Sequence, residues 1–512
     1  MSLPTPTAAV GAQGPQGAAD KDDPACTCTG ARRAAPVARD PGGSDAPPVP
    51  ASPSCSADAA FLLLSSIRRE AQEALGCTEP GMVALAAARA RRLVGGRPTA
   101  ISVWASAPVL KNAQAVGLPG TAAKGVAVAA ALGALAGDPD RGLMVLETVT
   151  AADAAEAEGL VRSGAVAVRL EPGRPGLYAR VEVRTEVPAG TRRAEVTIAG
   201  SHTNVVRETL DGESVGPLGG PDAGSGGPAV PSAAERAGLP PAVPPLETLC
   251  ALSFDEILRA ALAVAPTDVA YLVAGAERNL ELAERTLAGE GRQAAPELVA
   301  ALRGLAGPVA RPGEVPDLAA GARLLTAAAV SARMGGTAWP VLASGGSGNQ
   351  GILVSVPVLL ASRSLGRDET CLARALTLAH GVNLYLKAFA GEVSALCGSL
   401  TGGAGVAAAV AWLESLGSGR EAESVRRAVQ MVAGALFGAV CDGAKGSCAL
   451  KMGESAATAV VAGRIAARGG GLPCAEGLVG STVEETARTV GRLTREILGL
   501  ADAVLLERFS SS

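Results

Sequence analysis

The stretch GALFGAVCDGAKGSCALKMGESAATAV, residues 434 to 460, contains two cysteines on either side of a glycine-rich turn. These are Cys441 and Cys448, and a third cysteine, Cys397, lies upstream in SALCGSLTGGAG. Because glycine has no side chain, the backbone of such turns can approach a bulky ligand closely. The three thiols therefore predict a metal or cluster site with one open position, with buried structural thiols as the alternative. We interpret the rest of the chain as the scaffold around this site.

The composition favours closely packed helices. Hydrophobic residues make up 48% of the 512 residues and aromatic residues only 2%, so we expect a core of Ala, Val and Leu. Small residues of this kind suit helix–helix contacts better than aromatic-rich strands. The net charge of −4 comes without a basic stripe, which argues against a nucleic-acid partner.

The longest apolar runs are too short to cross a membrane. GVAVAAALGALAG from Gly125 and VQMVAGALFGAVC from Val429 each have about 13 residues, whereas a spanning helix needs roughly 18. They predict buried helices and no membrane partner. The amino terminus has no cationic start with an apolar segment after it, so we expect a cytoplasmic protein. Clustered cysteines in the cytoplasm are more often ligands or catalysts than disulfide partners.

The pattern of apolar residues predicts an α+β protein that is predominantly helical, with a large all-α domain carrying the three cysteines. We expect a disordered tail at 1–57 and a helical segment at 58–97, which packs with the carboxyl-terminal helices. Short Val-rich segments predict a small α+β domain with a mostly antiparallel sheet at 98–207. A Gly/Pro-rich loop at 208–246 and a helical cluster-binding domain at 247–508 complete the chain.

Two residues outside the cysteine turns are candidates for acid–base chemistry. Cys77 lies in GCTEPG, a turn between two predicted helices, where helix amino-terminal amides could lower the pKa of its thiol. The alternative is a small buried residue at a helix corner. His202, in GSHTNVV, is one of two histidines in the chain, and both a structural and an acid–base role stay open for it.

A glycine-rich loop, ASGGSGNQGILVSVPVLLAS, occupies residues 343 to 362. Consecutive backbone amides before a helix form a nest for a carboxylate or phosphate, and a tight turn between packed helices is the alternative. GSGNQG is also similar to the Ser-x-Gly-Asn loop of pyridoxal-phosphate dehydratases, which need a Schiff-base lysine upstream of that loop. The chain has no lysine between Lys124 and Lys387, so we predict no pyridoxal phosphate.

The cysteine turns leave two kinds of centre open. Tetrahedral zinc needs a fourth ligand, for which Asp442 is the one nearby candidate. Three thiolates on a [4Fe–4S] cube would instead leave one iron open, and an open iron is a Lewis acid.

Six strings occur in this order along the chain: GCTEPG, KNAQAVGLPG, GSHTNVV, SGGSGNQGI, CGSLTGGAG and CDGAKGSCALKMGESA. Together they resemble the L-cysteine desulfidase and UPF0597 group, which is related to the α-chain domain of iron–sulfur L-serine dehydratases. The resemblance covers residues 59 to 505. It implies a [4Fe–4S] lyase that converts L-cysteine to pyruvate, ammonia and sulfide, with L-serine as the alternative substrate.

Carried onto this sequence, the resemblance implies that Cys397, Cys441 and Cys448 bind the cluster and that Cys77 is the catalytic base. The glycine loop would hold the carboxylate of the amino-acid substrate in a cleft between the two domains. The predicted substrate contacts are Glu79, Lys111, Asn112, His202, Thr203, Asn204, Ser344, Ser347, Gly348, Asn349 and Gln350.

Some questions stay open at this stage. Lys445, inside the cysteine turn, is either a donor to the cluster or substrate or a solvated loop lysine. A non-enzymatic iron–sulfur redox sensor and a zinc-binding scaffold are the rival classes of protein. Whether two copies form a homodimer is also open.

Overall fold

The computed structural model describes residues 54–510 apart from 175, 189, 216–244, 308–316, 392 and 444–445. The predicted tail at 1–57 and the predicted loop at 208–246 therefore lie mostly outside the described residues. Regular structure nevertheless reaches into both, because a helix begins at Ser54 and strands extend to Ser214. The added strands are polar and partly exposed, so they lack the apolar alternation that reveals a strand in a sequence.

Sixteen α-helices lie within the described residues. They are α1 Ser54–Glu70, α2 Thr78–Val94, α3 Ala107–Ala113, α4 Val126–Ala136, α5 Ala151–Arg162, α6 Phe254–Leu262, α7 Ala270–Leu287, α8 Pro296–Ala306, α9 Leu318–Met334, α10 Gly348–Ser364, α11 Glu369–Ala390, α12 Gly398–Ser415, α13 Glu421–Leu436, α14 Ser447–Ala467, α15 Val483–Leu493 and α16 Leu500–Ser510. The predominantly helical α+β class is confirmed.

Eight strands within the described residues form two sheets. They are β1 Glu73–Ala74, β2 Ala100–Ala105, β3 Val166–Leu170, β4 Tyr178–Val187, β5 Gly190–Ala199, β6 Val205–Leu210, β7 Glu213–Ser214 and β8 Val341–Leu342. The larger sheet has the order β3-β2-β4-β5-β6-β7, and β2–β3 is its one parallel pair among the described strands. The prediction of a small, mostly antiparallel sheet is therefore confirmed.

The segment at 58–97 divides at the GCTEPG turn, contrary to the expectation that it packs as one piece with the carboxyl-terminal helices. Helix α1 contributes Leu63 and Ile67 to the core of the helical part. Helix α2 instead packs on α4 and on strands β4 and β5, in a second core with Met82 and Val83. The reason is that α2 presents small and apolar residues on most of its sides, which are buried and can cover a sheet face. The turn thus connects the two cores.

The helical part is centred on α12. This helix packs against α11, α13 and α14, and α14 also packs against α9. Small residues allow these close approaches: a side chain on Gly405 of α12 would lie 2.3 Å from the carbonyl oxygen of Ala379 on α11. The Ala-rich composition therefore serves helix–helix contacts, as expected.

Two predicted helical runs are shorter in the structure. The apolar run from Val429 leaves the helix after Leu436, and the last predicted helix is broken by a π-helical turn at Thr494–Leu498. In the described part of the chain no single helix is long and apolar enough to span a membrane. One pair bent by 104°, Phe254–Leu262 with Pro266–Leu287, passes that test by length and composition only.

A short two-stranded sheet brings two of the predicted motifs together. Strand β1, just before the GCTEPG turn, pairs antiparallel with β8, just before the glycine loop. The backbone N–H of Ala343 also donates to the carbonyl oxygen of Gln72 at 2.8 Å. Motifs more than 250 residues apart in sequence, at Cys77 and Ser347, therefore lie side by side.

Candidate functional site

One cavity contains most of the residues singled out in the sequence. It encloses about 790 Å³, part of it open to solvent, where the turn before α2 meets the loop before α10 and the starts of α12 and α14. Ten of the fifteen predicted site residues line it: Cys77, Glu79, Asn112, His202, Ser347, Asn349, Gln350, Cys397, Cys441 and Cys448. The other five, Lys111, Thr203, Asn204, Ser344 and Gly348, are not part of its lining.

Backbone pairing places the first two cysteines next to each other. Leu396 and Val440 form an isolated antiparallel bridge. The Cys397 amide donates to the Ala439 carbonyl oxygen at 2.9 Å, and the Cys441 amide donates to that of Ala395 at 2.7 Å. Cys397 is also the residue that precedes α12. Its position is thus fixed by a bridge on one side and a helix start on the other.

The third cysteine reaches the same cavity from α14. Cys448 lies in the first turn of this helix, and its thiol donates to the carbonyl oxygen of Gly443 at 3.6 Å. Burial raises the pKa of the Cys441 thiol to about 11, with Lys111 lowering it and the neighbouring Cys397 raising it. Three thiols therefore face one enclosed space from three separate segments.

A lysine that the sequence did not single out supports this group of thiols. Lys451 donates to the carbonyl oxygen of Val440 at 2.9 Å and to the carboxylate of Asp442 at 2.8 Å. Burial lowers the pKa of Lys451, but Asp442 and the nearby Cys397 and Cys448 outweigh burial and raise it. Lys451 thus provides a positive charge beside the thiols. Lys445, for which two roles were open, lies outside the described residues.

The three thiols line one cavity without forming a compact ligand set for a single ion among the described residues. Within the described ranges, no three His, Cys, Asp or Glu side chains form a group able to hold one metal ion. Asp442, the candidate fourth ligand for zinc, is paired with Lys451 and with Ser447. Thiolates on a cubane cluster each bind a different iron. Cys397, Cys441 and Cys448 all line this one cavity.

The glycines near the cysteines have a different role from the one expected. A side chain on Gly398 would lie 2.2 Å from Nε2 of Gln350, and one on Gly443 would lie 2.5 Å from the carbonyl oxygen of Lys111. Gly443 also has a φ of +87°, which L side chains rarely adopt. These two glycines therefore make room for groups of the protein itself, in contrast to the predicted approach of a ligand.

Cys77 lies directly before α2, as predicted, but the pKa of its thiol is raised rather than lowered. Burial is the largest cause, and the negative charge of Glu79 adds to it, whereas Arg333 lowers the pKa. The thiol donates a hydrogen bond to Oε2 of Glu79 at 2.9 Å. The helix amides that were expected to stabilise a thiolate are outweighed, because the buried thiol lies next to a carboxylate. Cys77 is therefore a neutral thiol at neutral pH.

Glu79 is the acceptor at the centre of this polar group. Its carboxylate accepts from the thiol of Cys77, from the hydroxyl of Thr78 at 3.2 Å, and from Nδ2 of Asn112 at 2.9 Å. Burial alone would raise its pKa, but the nearby imidazole of His202 and the hydrogen bonds from Cys77 and Asn112 outweigh burial and lower it. Glu79 is thus ionised at neutral pH while buried.

His202 contributes a second group able to accept a proton. The imidazole is buried, and burial lowers its pKa, with Glu79 raising and Lys387 lowering it. Its Nε2 has no hydrogen-bond partner among the described residues. Thr203 and Asn204 point away on the exposed side of the same turn, where Asn204 donates to the carbonyl oxygen of Ala199. Only His202 of the GSHTN string therefore faces the cavity.

Lys111 acts behind the cavity wall. Its buried ammonium donates to the carbonyl oxygen of Cys441 at 2.9 Å and to the carboxylate of Asp502 at 2.6 Å. A buried charge is costly unless it is paired with an opposite charge. Lys111 is thus placed to hold the Cys441 segment and helix α16 together.

The glycine loop is divided between cavity and scaffold. Ser347 caps α10 by accepting from the amide of Gln350 at 3.5 Å, and both residues line the cavity. Ser344 is fully buried and accepts from Nδ2 of Asn383 at 2.9 Å. The Asn349 side chain lines the cavity and accepts from Arg333 at 2.8 Å. The amino end of α10 therefore faces the cavity, as a nest for an anion requires.

Sequence reasoning missed five polar residues of the lining, namely Thr78, Arg333, Lys387, Ser394 and Thr401. Lys387 donates to the carbonyl oxygen of Gly345, and its position in the apolar string LYLKAFA was a usable signal. Arg333, at the end of α9, had no such signal, because one arginine in a helical pattern usually faces solvent. Only the packing of α9 against α10 shows that it is buried.

Comparison with known proteins agrees with the family indicated by the motifs. Residues 140–507 match the model of the family described as serine dehydratase alpha chain. A "UPF0597 protein" of Moorella thermoacetica is 39% identical over 443 residues, which are 86% of this chain and 96% of that relative.

Two further relatives with the same printed name come from other bacteria. The one from Nitratidesulfovibrio vulgaris strain Hildenborough is 38% identical, with 86% of this chain and 97% of the relative covered. The one from Aeromonas salmonicida is 36% identical, with 86% of this chain and 93% of the relative covered. The chain therefore belongs to the serine dehydratase alpha chain family, together with the UPF0597 proteins.

Proposed function

We propose that this protein is a [4Fe–4S]-dependent β-eliminating lyase that acts on a small amino acid. L-Cysteine is the first candidate substrate, giving pyruvate, ammonia and sulfide, and L-serine is the second, giving pyruvate and ammonia. Family membership supports a lyase of the dehydratase type. The choice between the two leaving groups is our inference from the motifs.

The observation that carries the proposal is that one cavity contains the three thiols, two groups able to accept a proton, and the amino end of a helix. A β-elimination needs these three functions: a site for the leaving group, a base for the Cα proton, and stabilisation of the carboxylate. A redox sensor needs only the thiols. The combination therefore favours an enzyme over a sensor.

Cys397, Cys441 and Cys448 would hold the cluster, and Lys451 would balance part of its negative charge. When bound, the cluster would supply an open iron as a Lewis acid for the departing thiolate or hydroxide. Lys111 and the bridge between Leu396 and Val440 would keep the ligand segments in place.

Proton transfer would involve Cys77 and Glu79. The Cys77 thiol first gives its proton to Oε2 of Glu79, which is 2.9 Å from the sulfur. The resulting thiolate then takes the Cα proton, and the electron pair of the Cα–H bond forms the Cα=Cβ bond as the leaving group departs. Burial of Cys77, the negative charge of Glu79 and the lowered pKa of Glu79 oppose the first transfer, whereas the charge of Arg333 favours it. His202, already neutral, is the other group in reach of the cavity that could take this proton.

The aminoacrylate formed in this way needs no further catalytic group. It tautomerises to an imine, and water hydrolyses the imine to pyruvate and ammonia. The role of the protein at this stage is to release the product from a cavity that is partly open to solvent.

The direct test is anaerobic purification, followed by assays of pyruvate, sulfide and ammonia with L-cysteine and with L-serine. We expect about four irons per chain, the content of one cube, and pyruvate from at least one of the two substrates. Iron that stays absent after anaerobic reconstitution, or zinc bound stoichiometrically in its place, would contradict the proposal. Iron without any turnover would instead favour the sensor.

A further inference from the structure

Arg333 is a buried cation whose hydrogen bonds are incomplete. Its side chain is 2% exposed and lines the cavity. Nη1 donates to Oδ1 of Asn349 at 2.8 Å, whereas Nε and Nη2 have no partner among the described residues. Leaving charged donors buried without acceptors is costly, so such groups point to a missing partner.

The two unpartnered nitrogens lie on the same edge of the guanidinium. Arginine binds a carboxylate through two parallel N–H···O bonds along one such edge. With Nη1 held by Asn349, the edge formed by Nε and Nη2 is set in a fixed orientation. The free edge therefore matches a single carboxylate in shape, charge and number of donors.

The start of α10 is shaped around this guanidinium. A side chain on Gly348 would lie 2.3 Å from Nε and 2.6 Å from Cζ of Arg333. Gly348 is the first residue of α10, whose first amides have no acceptor within the helix and carry partial positive charge. Glycine at this position thus lets the arginine and the helix amino terminus occupy the same corner of the cavity.

Arg333 is also close to both candidate bases. Its charge lowers the pKa of Cys77 and that of His202. In an α-amino acid the Cα–H bond is one bond away from the carboxylate carbon. A carboxylate bound at Arg333 would therefore place Cα in the cavity that Cys77 and His202 also line.

We infer that Arg333 and the amino end of α10 form the subsite that binds the substrate carboxylate. This inference rests on the proposed function for the identity of the substrate. It changes the sequence-based expectation, in which the glycine loop alone holds the carboxylate. It also explains why Asn349 and Gly348 stand at the start of the helix: one orients the guanidinium and the other makes room for it.

The test compares ligands with and without a carboxylate on the anaerobically purified full-length protein. L-Serine is paired with ethanolamine, which is the same molecule without its carboxylate, and acetate serves as a carboxylate alone. Calorimetry gives the affinity, and the shift in melting temperature gives a second readout that needs no turnover. We expect wild-type protein to bind L-serine at least about 10-fold more tightly than ethanolamine, since hydrogen bonds to charged groups are stronger than those between neutral groups.

In Arg333→Gln we expect the affinity for L-serine to fall about 10²-fold, with little change for ethanolamine and no stabilisation by acetate. The matched control is Arg363→Gln, which removes an exposed arginine of α10 that pairs with Glu277 of α7. It should bind all three ligands as the wild type does. Unchanged affinity of Arg333→Gln for L-serine and acetate would overturn the inference.

Gly348→Ala keeps the test decisive if Arg333→Gln does not fold. Its added methyl group would displace the guanidinium, so carboxylate affinity should fall while Arg333 is still present. The outcomes separate the two proposals. If the wild type turns over substrate but Gly348→Ala and Arg333→Gln bind the carboxylate as the wild type does, only the inferred subsite is disproved. If no turnover is found but acetate stabilises the protein in a way that depends on these residues, the anion site is supported and the lyase proposal is disproved.

Discussion

The two sides of the cavity are built in different ways. The thiol side, with Cys397 and Cys441, is positioned by backbone hydrogen bonds across the bridge of Leu396 with Val440. The opposite side is positioned by side chains, with Glu79 accepting three hydrogen bonds from its neighbours. Backbone pairing gives thiols a rigid frame that does not depend on their ionisation. Side-chain hydrogen bonds instead link groups that can exchange protons.

Asn112 joins the two sides. Its Nδ2 donates to Oε1 of Glu79 at 2.9 Å, while its Oδ1 accepts from the thiol of Cys441 at 3.5 Å. A change of charge at the thiols can therefore alter the hydrogen bonding of Glu79 through the side chain of Asn112. Substitutions on the thiol side should therefore remove the cofactor, whereas substitutions on the opposite side, around Glu79, should leave it bound.

The largest effect should come from replacing Cys397, Cys441 or Cys448 by serine. A cube held by two thiolates is poorly retained, so each variant should lose most of its iron and all of its activity. Iron and acid-labile sulfide measured after anaerobic purification check this result. Cys474→Ser is the control, because Cys474 is exposed and outside the cavity lining. A variant with full iron and turnover would take that residue out of the ligand set.

Cys77→Ala should keep its iron but lose turnover by about 10²–10⁴-fold, the contribution of a positioned general base. The base acts in its deprotonated form, and the pKa of Cys77 is raised. Wild-type activity should therefore increase as the pH rises above neutrality, and the variant should lack this increase. His202→Gln, assayed in parallel, identifies the base if Cys77→Ala retains wild-type turnover. Loss of iron from Cys77→Ala would make it a fourth ligand and would contradict the open iron.

Glu79→Gln should reduce turnover by about 10²-fold at unchanged iron content, because the amide cannot take the proton of Cys77. The substitution preserves the size of the side chain, and its carbonyl oxygen can still accept one hydrogen bond. Steady-state rates with L-cysteine and L-serine, together with iron analysis, measure the effect. Wild-type rates in this variant would show that Glu79 only orients its neighbours.

Asp502→Ala tests the support behind the thiol side. It leaves the ammonium of Lys111 buried without its counter-charge, so the free energy of unfolding should fall by about 3–5 kcal/mol. Chemical denaturation of the iron-free protein measures the change. Replacing both partners, as Lys111→Met with Asp502→Leu, should recover much of the loss. Equal stability of Asp502→Ala and the wild type would show that Lys111 needs no partner in α16.

Several parts of the site were predictable because they are local in sequence. The GCTEPG string predicted Cys77 in a turn before a helix, and the glycine loop predicted a turn followed by a helix, which begins at Gly348. Alternating apolar residues predicted strands β2 to β5. Each of these features depends on hydrogen bonds or side-chain periodicity within about ten residues. Features that depend on so few neighbouring residues can be predicted directly from the sequence.

By itself, the sequence determined the helical character of the chain, the sheet, the family and the three thiols that reach one cavity. Only the tertiary structure decided the charge state of Cys77, the burial of Arg333, and the exposure of Thr203 and Asn204. It also placed α1 and α2 in two different hydrophobic cores. The physical reason is that burial and electrostatic interactions depend on distances between segments far apart in the chain. A short motif contains no information about which carboxylate or arginine will lie beside it.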